Sequence, residues 1–243
     1  MGHVTVVGGC RAKAPTTGIL ASTLPVGSVV KLMEGGTAVE YLVVNQGIPS
    51  NSSLYDASCD GTWLLRKDIH SNRPWHTSNV NKYESSAINT WLNGEFFNAL
   101  GSAEQAAIKQ VKIPYRYNGG AGGTDQRGAN GLLCKIFLLS GYEVGWTTNY
   151  NQYFPQDGAR ISYFEAGTGT TADNKRIANL NGTAATWWLR SPNTGDAILV
   201  WGVYSDGTIA GGDASNSYGI RPALVLPGNA LFDKGTMLLK GVA

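Results

Sequence analysis

The chain has 243 residues, 42% hydrophobic and 15% charged, enough to bury a sizeable core as one large domain. Its net charge is +2 and no run of Lys and Arg stands out, which leaves out the electrostatic footprint of phosphate-backbone binding and argues against a nucleic-acid partner. The 32 glycines follow no collagen-like period and accompany 7 Trp and 11 Tyr, a composition of many turns around an aromatic-rich core.

Residues 1–23 are rich in Gly, Thr and Ala and read as an arm or attachment segment; the compact domain is expected over 24–243. The N-terminus has no basic n-region, and Val4–Val7 is too short for a signal-peptide core, so no signal peptide is expected. Apolar runs such as Ala223–Leu226 fall far short of the roughly 18 to 20 residues of a membrane span, so no membrane insertion is expected.

In chain order, Val29–Leu32 and Ala38–Val44 read as strands joined by a Gly-containing hairpin loop, and Thr62–Leu65 as a third strand. Ile88, Trp91, Leu92 and Phe96 follow helical spacing between Ser85 and Leu100, with Gly94 as a break. Ser102 to Gln105 predicts a second short helix opened by a capping box. A strand over Val111–Tyr115 precedes a Gly-rich stretch, Asn118–Gly131, expected to be a surface loop, and Cys134–Leu139 reads as a buried strand. Trp187–Leu189, Leu199–Tyr204, Thr208–Ile209 and Ala223–Leu226 are the C-terminal strands. Strands at both ends with helices between them predict an α+β fold.

The three cysteines, Cys10, Cys59 and Cys134, lack CxxC spacing and read as reduced and buried, with a Cys59–Cys134 bridge as the alternative that spacing leaves open. His70 and His76 sit in a loop and His3 is remote, so surface histidines are expected and no metal or other cofactor. Glu143, Glu165 and Asp173 read as solvated carboxylates, and no nucleophile elbow or P-loop is present, so no enzyme activity is expected. Trp187 and Trp188 must point to opposite faces of their strand, and Arg190 and Arg221, each close to a proline, read as scaffold forks that pin carbonyls or carboxylates.

Three phrases, Gly61-Thr62-Trp63-Leu64-Leu65-Arg66-Lys67, Trp187-Trp188-Leu189-Arg190-Ser191-Pro192 and Tyr218-Gly219-Ile220-Arg221-Pro222-Ala223-Leu224, together with the Ile88 to Asn93 helix, carry a resemblance. Over roughly Leu24 to Pro227 the chain resembles a family of uncharacterised domains (DUF6273-like) abundant in gut bacteria and their phages. That family is similar to the C-type-lectin-like fold of the variable proteins of diversity-generating retroelements and of formylglycine-generating enzymes. The resemblance implies short antiparallel sheets with two or three helices and long loops. It also implies a receptor-binding or adhesion role at a phage tail tip or bacterial cell surface. The partner implied is a bacterial cell-surface protein or glycan, bound by a homotrimer attached through the arm. The calcium-holding phrases of sugar-binding lectins are missing, and no cysteine follows Cys134 to supply formylglycine chemistry.

The stretch 193–218 lies between two of these phrases, holds no Lys, Glu, Gln or Met, and is rich in the small polar residues used by antibody loops. Apart from Trp201, every residue in it is reachable by retroelement mutagenesis of adenines. The expected ligand-binding residues are Asn193, Thr194, Asp196, Ala197, Leu199, Trp201, Gly202, Tyr204, Thr208, Ala210, Gly211, Asp213, Ser215, Asn216 and Tyr218, with Trp201, Tyr204 and Tyr218 as aromatic anchors. An ordinary polar turn region is the competing reading. Two other functions stay open: a calcium-independent carbohydrate-binding module using Trp146, Tyr150 and Tyr153, and a hydrolase with two carboxylates about 5 to 9.5 Å apart.

Overall fold

Val29–Glu34 and Thr37–Gln46 pair antiparallel in a register that ends at Glu34 opposite Thr37, so Gly35 and Gly36 alone turn the chain. Their φ angles of 54° and 82° are the left-handed values that a two-residue hairpin turn of this twist demands. The second strand of this hairpin pairs with Thr62–Arg66, which pairs with Ala223–Leu226, which pairs with Ile136–Phe137, closing a five-stranded antiparallel sheet. Ala223–Leu226 is buried along its whole length and sits inside the sheet, as a four-residue apolar run should. The structure, a computed structural model, describes residues 17–50, 52–148 and 151–243. His3, Cys10, the run Val4–Val7 and most of the expected arm lie outside the described residues.

A second five-stranded sheet carries the candidate site. Its order is Ile209–Asp213, Leu199–Val203, Trp187–Pro192, Ser217–Gly219 and Asn72–Pro74, antiparallel except where Trp187 pairs with Gly219 in parallel. Two chain crossings join the sheets side by side: Arg66 to Asn72, and Gly219 to Ala223. Ile220 and Ser71 share the crossing through backbone bonds, His70 N to Ile220 O at 2.8 Å and Ile220 N to Ser71 O at 2.9 Å. The Arg221 guanidinium clamps the same point, Nε donating to Arg66 O at 2.8 Å and Nη2 to Lys67 O at 3.0 Å, and lies over the Trp187 ring. Pinning backbone carbonyls with a rigid fork is the scaffold role that the sequence assigned to Arg221.

The helical region differs in detail from expectation. Ser86 caps Ala87–Trp91 by accepting from Asn89 N at 3.1 Å, but Gly94 does not break the helix. Leu92–Phe96 instead continues as one π-helical turn before Phe97–Ala99, because a glycine in helical φ/ψ accommodates the wider turn and the apolar Leu92 and Phe96 stay buried. The capping box at Ser102 is also not made. Gly101 is the N-cap of Ser102–Ala107 and Glu104 turns away to accept from Met33 N at 2.9 Å, tying the helix to the first hairpin.

Pro114 divides the expected strand at 111–115 into Val111–Ile113 and Tyr115–Tyr117. The Gly-rich stretch after it is not wholly a surface loop: Thr124–Gln126 pairs back with Tyr115–Tyr117, and Gly119 and Gly120 are buried. A third sheet, Ile19–Leu20 with Ala230–Phe232 and Leu239–Val242, holds the chain ends of the described region, so pairing begins at Ile19. The fold is thus α+β, mostly short antiparallel sheets with few helices. Among the described residues no helix is long and apolar enough to cross a membrane.

Candidate functional site

Strand alternation divides the predicted binding residues into two sets. Across the Leu199–Val203 and Ile209–Asp213 hairpin, Leu199 faces Asp213 and Trp201 faces Gly211 on one side, while Val200 faces Gly212 and Gly202 faces Ala210 on the other. The first side is partly exposed and the second buried, so Gly202 and Ala210 are packing positions and do not meet a ligand.

On the exposed side the Trp201 indole donates to Tyr153 O at 3.1 Å and its ring lies 5.2 Å from that of Phe154. Gly211 puts no side chain beside it; the indole ring carbons are the nearest atoms a methyl there would meet. Tyr204, 44% exposed, follows directly on the strand, and Tyr153 is exposed to a similar degree. Thr208 bonds to Asp206 at the hairpin turn, Oγ1 to Oδ1 at 2.7 Å. Leu199, Trp201 and Asp213, with Tyr153 beside Trp201, therefore make one face; Tyr204, one residue past the strand and paired with Thr208, falls by the same alternation on the side of Val200 and Gly202.

Tyr218 and Asn216 belong to the opposite side. The Tyr218 ring packs 4.4 Å from that of Trp188 and sits over Gly212, where the Asn216 amide also lies. Trp187 and Trp188 point to opposite faces but are both fully buried, Trp187 donating to Arg176 O at 3.0 Å and Trp188 to Arg73 O at 3.1 Å. Both serve the core. Ser215, exposed, is anchored by its backbone N–H to Asn79 Oδ1 at 3.2 Å.

The turn from Asn193 to Ala197 is built by its own polar side chains. Asn193 Oδ1 accepts from Gly195 N at 2.9 Å, Asp196 Oδ1 accepts from Ile198 N at 2.7 Å and from Leu199 N at 3.1 Å, and Thr194 Oγ1 donates to Gln152 O at 3.1 Å. A residue absent from the predicted set, the buried Asn81, holds this turn in place. Its Nδ2 donates to Asp196 O at 2.9 Å and Leu199 O at 2.8 Å, and its Oδ1 accepts from Gly120 N at 2.9 Å. These partners lie 115, 118 and 39 residues away in sequence, so no local pattern marks Asn81. Gly120 is packed so closely that a methyl on it would run into the carbonyls of Asn193 and Asp196.

Beside the hairpin, the Trp187–Pro192 strand supplies a buried polar centre. Arg190 donates to Glu143 through two bonds, Nη1 to Oε2 at 2.6 Å and Nη2 to Oε1 at 2.7 Å, with both side chains fully excluded from solvent. It also donates to the carbonyls of Pro114, Leu138 and Asp157. Glu143 accepts in addition from Tyr55 OH at 2.8 Å and Ser140 N at 2.9 Å. Ser191 donates to Asp157 Oδ2 at 2.7 Å and accepts from Gly141 N at 2.9 Å. Glu143, expected on the surface, is thus a core residue, and its bidentate bond to the guanidinium offsets part of the cost of burying it. Burial disfavours the Arg190 charge, but Glu143 outweighs it and raises the Arg190 pKa. Asp157 has no such partner for Oδ1, and burial pushes its pKa up to about 7 despite the opposing pull of Arg190. The centre ties the 138–143 and 157–159 segments to the site-bearing sheet.

The remaining expectations resolve as follows. Cys59 and Cys134 are buried free thiols, so the bridge that spacing left open is not formed; burial pushes the Cys59 thiol up to about 11. His70 is not a surface residue but packs edge-on against the Trp91 and Phe96 rings, its pKa lowered by burial and by Arg66. Among the described residues no group of three His, Cys, Asp or Glu could hold a metal ion. Trp146 is fully buried, its ring stacked on Phe154 and capped by Arg176, so it has no face for a sugar; Tyr150 lies outside the described residues. Glu165 pairs with Lys175 at 2.6 Å in solvent, and Asp173 accepts from Lys175 N at 2.9 Å.

The chain matches the family model described as Domain of unknown function (DUF6273) over residues 60–228, well over half its length. The chain belongs to the DUF6273 family. The DUF6273 match takes in the whole site-bearing sheet, the Asn81 staple and the Arg190–Glu143 centre, and begins after the first hairpin. No curated protein and no solved structure matches the chain.

Proposed function

We propose that this domain is a ligand-binding protein that recognises a protein or glycan on a bacterial cell surface without turning it over. The observation that carries the reading is the partly exposed face of the Leu199–Val203 and Ile209–Asp213 hairpin, where Trp201 and Tyr153 lie side by side with Leu199 and Asp213 on a strand pair braced by the core. Large aromatic side chains with few rotatable bonds lose little entropy on contact, and a rigid base lowers the cost further. The buried carboxylates beside the sheet, Glu143 and Asp157, bond to Arg190 and to Ser191, which favours scaffolding over proton transfer.

The finer assignment follows from the resemblance: a C-type-lectin-like scaffold, carried at a phage tail tip or on a bacterial surface, with 193–218 as the segment that varies among retroelement-diversified relatives. A homotrimer would multiply weak single-site affinity through avidity. Binding of the purified protein to gut bacterial cells tests the reading, with Tyr153→Ala/Asp213→Ala as the variant, since among the described residues neither side chain makes a hydrogen bond or ion pair. Strain-selective binding that the variant loses supports the face; binding that the variant keeps removes it as the receptor site.

A further inference from the structure

A second surface feature lies on the other side of the buried centre. Gln156 and Gly158 to Arg160, which follow the Tyr153–Phe154 brace in the chain, line a cleft of about 380 Å³ together with Ser53, Leu54, Arg127 and Tyr142. That volume is at the low end of small-molecule sites, roughly 300 to 1,000 Å³, and fits one compact polar unit.

The cleft's chemistry is one-sided. Arg127 and Arg160 both line it and no Asp or Glu does. Among the described residues neither arginine forms an ion pair; Arg160 Nη1 donates to Phe164 O at 2.9 Å, which orients its fork, and Arg127 makes no side-chain hydrogen bond. The acids around the wall are held by other partners: Glu143 by Arg190, Asp125, which also accepts from Gln156 N, by Arg116 at 2.8 Å, and Glu165 by Lys175 at 2.6 Å, while Asp157 is buried against Ser191. Two guanidinium forks without a protein carboxylate suit an external carboxylate or phosphate. Gln156 and Tyr142 add an amide and a phenol whose polar atoms have no partner among the described residues, and Leu54 adds an apolar wall. Neutral hydrogen-bonding groups beside a cation pair suit a ligand that carries hydroxyls next to its acid.

We propose that this cleft is a second binding site, specific for a carboxylated sugar such as a hexuronic or nonulosonic acid, with Arg127 and Arg160 holding the carboxylate and Tyr142 and Gln156 the hydroxyls. The site is independent of the hairpin face, and each can fail without the other.

Titration calorimetry of the whole chain tests it with glucuronic acid, galacturonic acid and N-acetylneuraminic acid as probes, glucose as the neutral control and inorganic phosphate as the competing anion. Saturable binding of at least one acid is expected, weakened tenfold or more by Arg127→Gln and unchanged by Asp213→Ala, with glucose silent. Arg127→Gln is exposed and should melt with the parent protein; Arg160→Gln gives a second variant with the same expected loss. The proposal is overturned if no acid saturates, if glucose binds as well as the acids, if phosphate binds more tightly than every sugar acid, or if a folded Arg127→Gln binds unchanged.

Discussion

Replacing Glu143 with glutamine changes few atoms and should still cost a large part of the domain's stability. The Arg190 guanidinium would keep the carbonyls of Pro114, Leu138 and Asp157 but lose its bidentate carboxylate partner, in a site with no solvent contact. One of its two bonds to residue 143 would become a meeting of two N–H donors, while Tyr55 OH and Ser140 N would donate to a neutral group or to none. Breaking a buried pair by removing one partner costs about 3–5 kcal/mol, out of roughly 5–15 kcal/mol for a whole domain. With a urea slope of about 2–3 kcal/mol/M, the unfolding midpoint should fall by about 1–2.5 M. Glu143→Leu/Arg190→Met, which removes both charges, should be less destabilised than Glu143→Gln, because a missing pair leaves no stranded ion. A midpoint shift below about 0.3 M for Glu143→Gln would refute the reasoning, since it would mean that the pair is hydrated or that its charge is matched elsewhere.

Asp157 predicts a pH dependence of a definite sign. Its folded pKa of about 7 lies above its ordinary value of 3.8, so the fold binds this proton more tightly than the unfolded chain does. The resulting stability is present in full below pH 3.8 and is lost as pH rises to about 7, by an upper limit of about 4 kcal/mol. Asp157→Asn should flatten that part of the stability curve between pH 4.5 and 8 in urea titrations; an unchanged slope would show that Asp157 ionises freely. Gly120→Ala should cost about 1–3 kcal/mol by overpacking and should speed amide exchange at residues 193–199, whose turn it would push off Asn81. Normal protection there would mean that the turn does not depend on the Gly120 contact.

Local chemistry made the strands legible. The Gly35–Gly36 turn, the β-branched run in Thr37–Gln46 and the apolar Ala223–Leu226 each carry their structure in a few neighbouring residues, and the observed elements lie where those patterns point. The misreadings come mostly from long-range contacts. Gly94 looks like a helix break until Leu92 and Phe96 are seen to bury the turn on which it sits, and Gln105 looks like half of a capping box with Ser102 until Gly101 is seen to be the N-cap and the Gln105 amide to donate to Leu100 O. Glu143 reads as solvated because its partner Arg190 is 47 residues away. The candidate face was only partly legible for a related reason. Composition marks 193–218 as a distinctive segment, but strand alternation and the Trp188–Tyr218 stack divide its residues between two sides of the sheet. Both braces enter from elsewhere in the chain: Tyr153 is legible only as a sugar-stacking aromatic grouped with Trp146 and Tyr150, and Asn81 has no signal of its own.

The central claim is that the exposed hairpin face is where this DUF6273 protein meets its ligand. Its most direct test is cell binding by fluorescently labelled protein across a panel of gut bacterial strains, comparing the parent with Tyr153→Ala/Asp213→Ala at matched melting temperature. The account predicts binding to a subset of strains and a loss of at least tenfold in the variant; binding of equal strength and strain range by both proteins would contradict it.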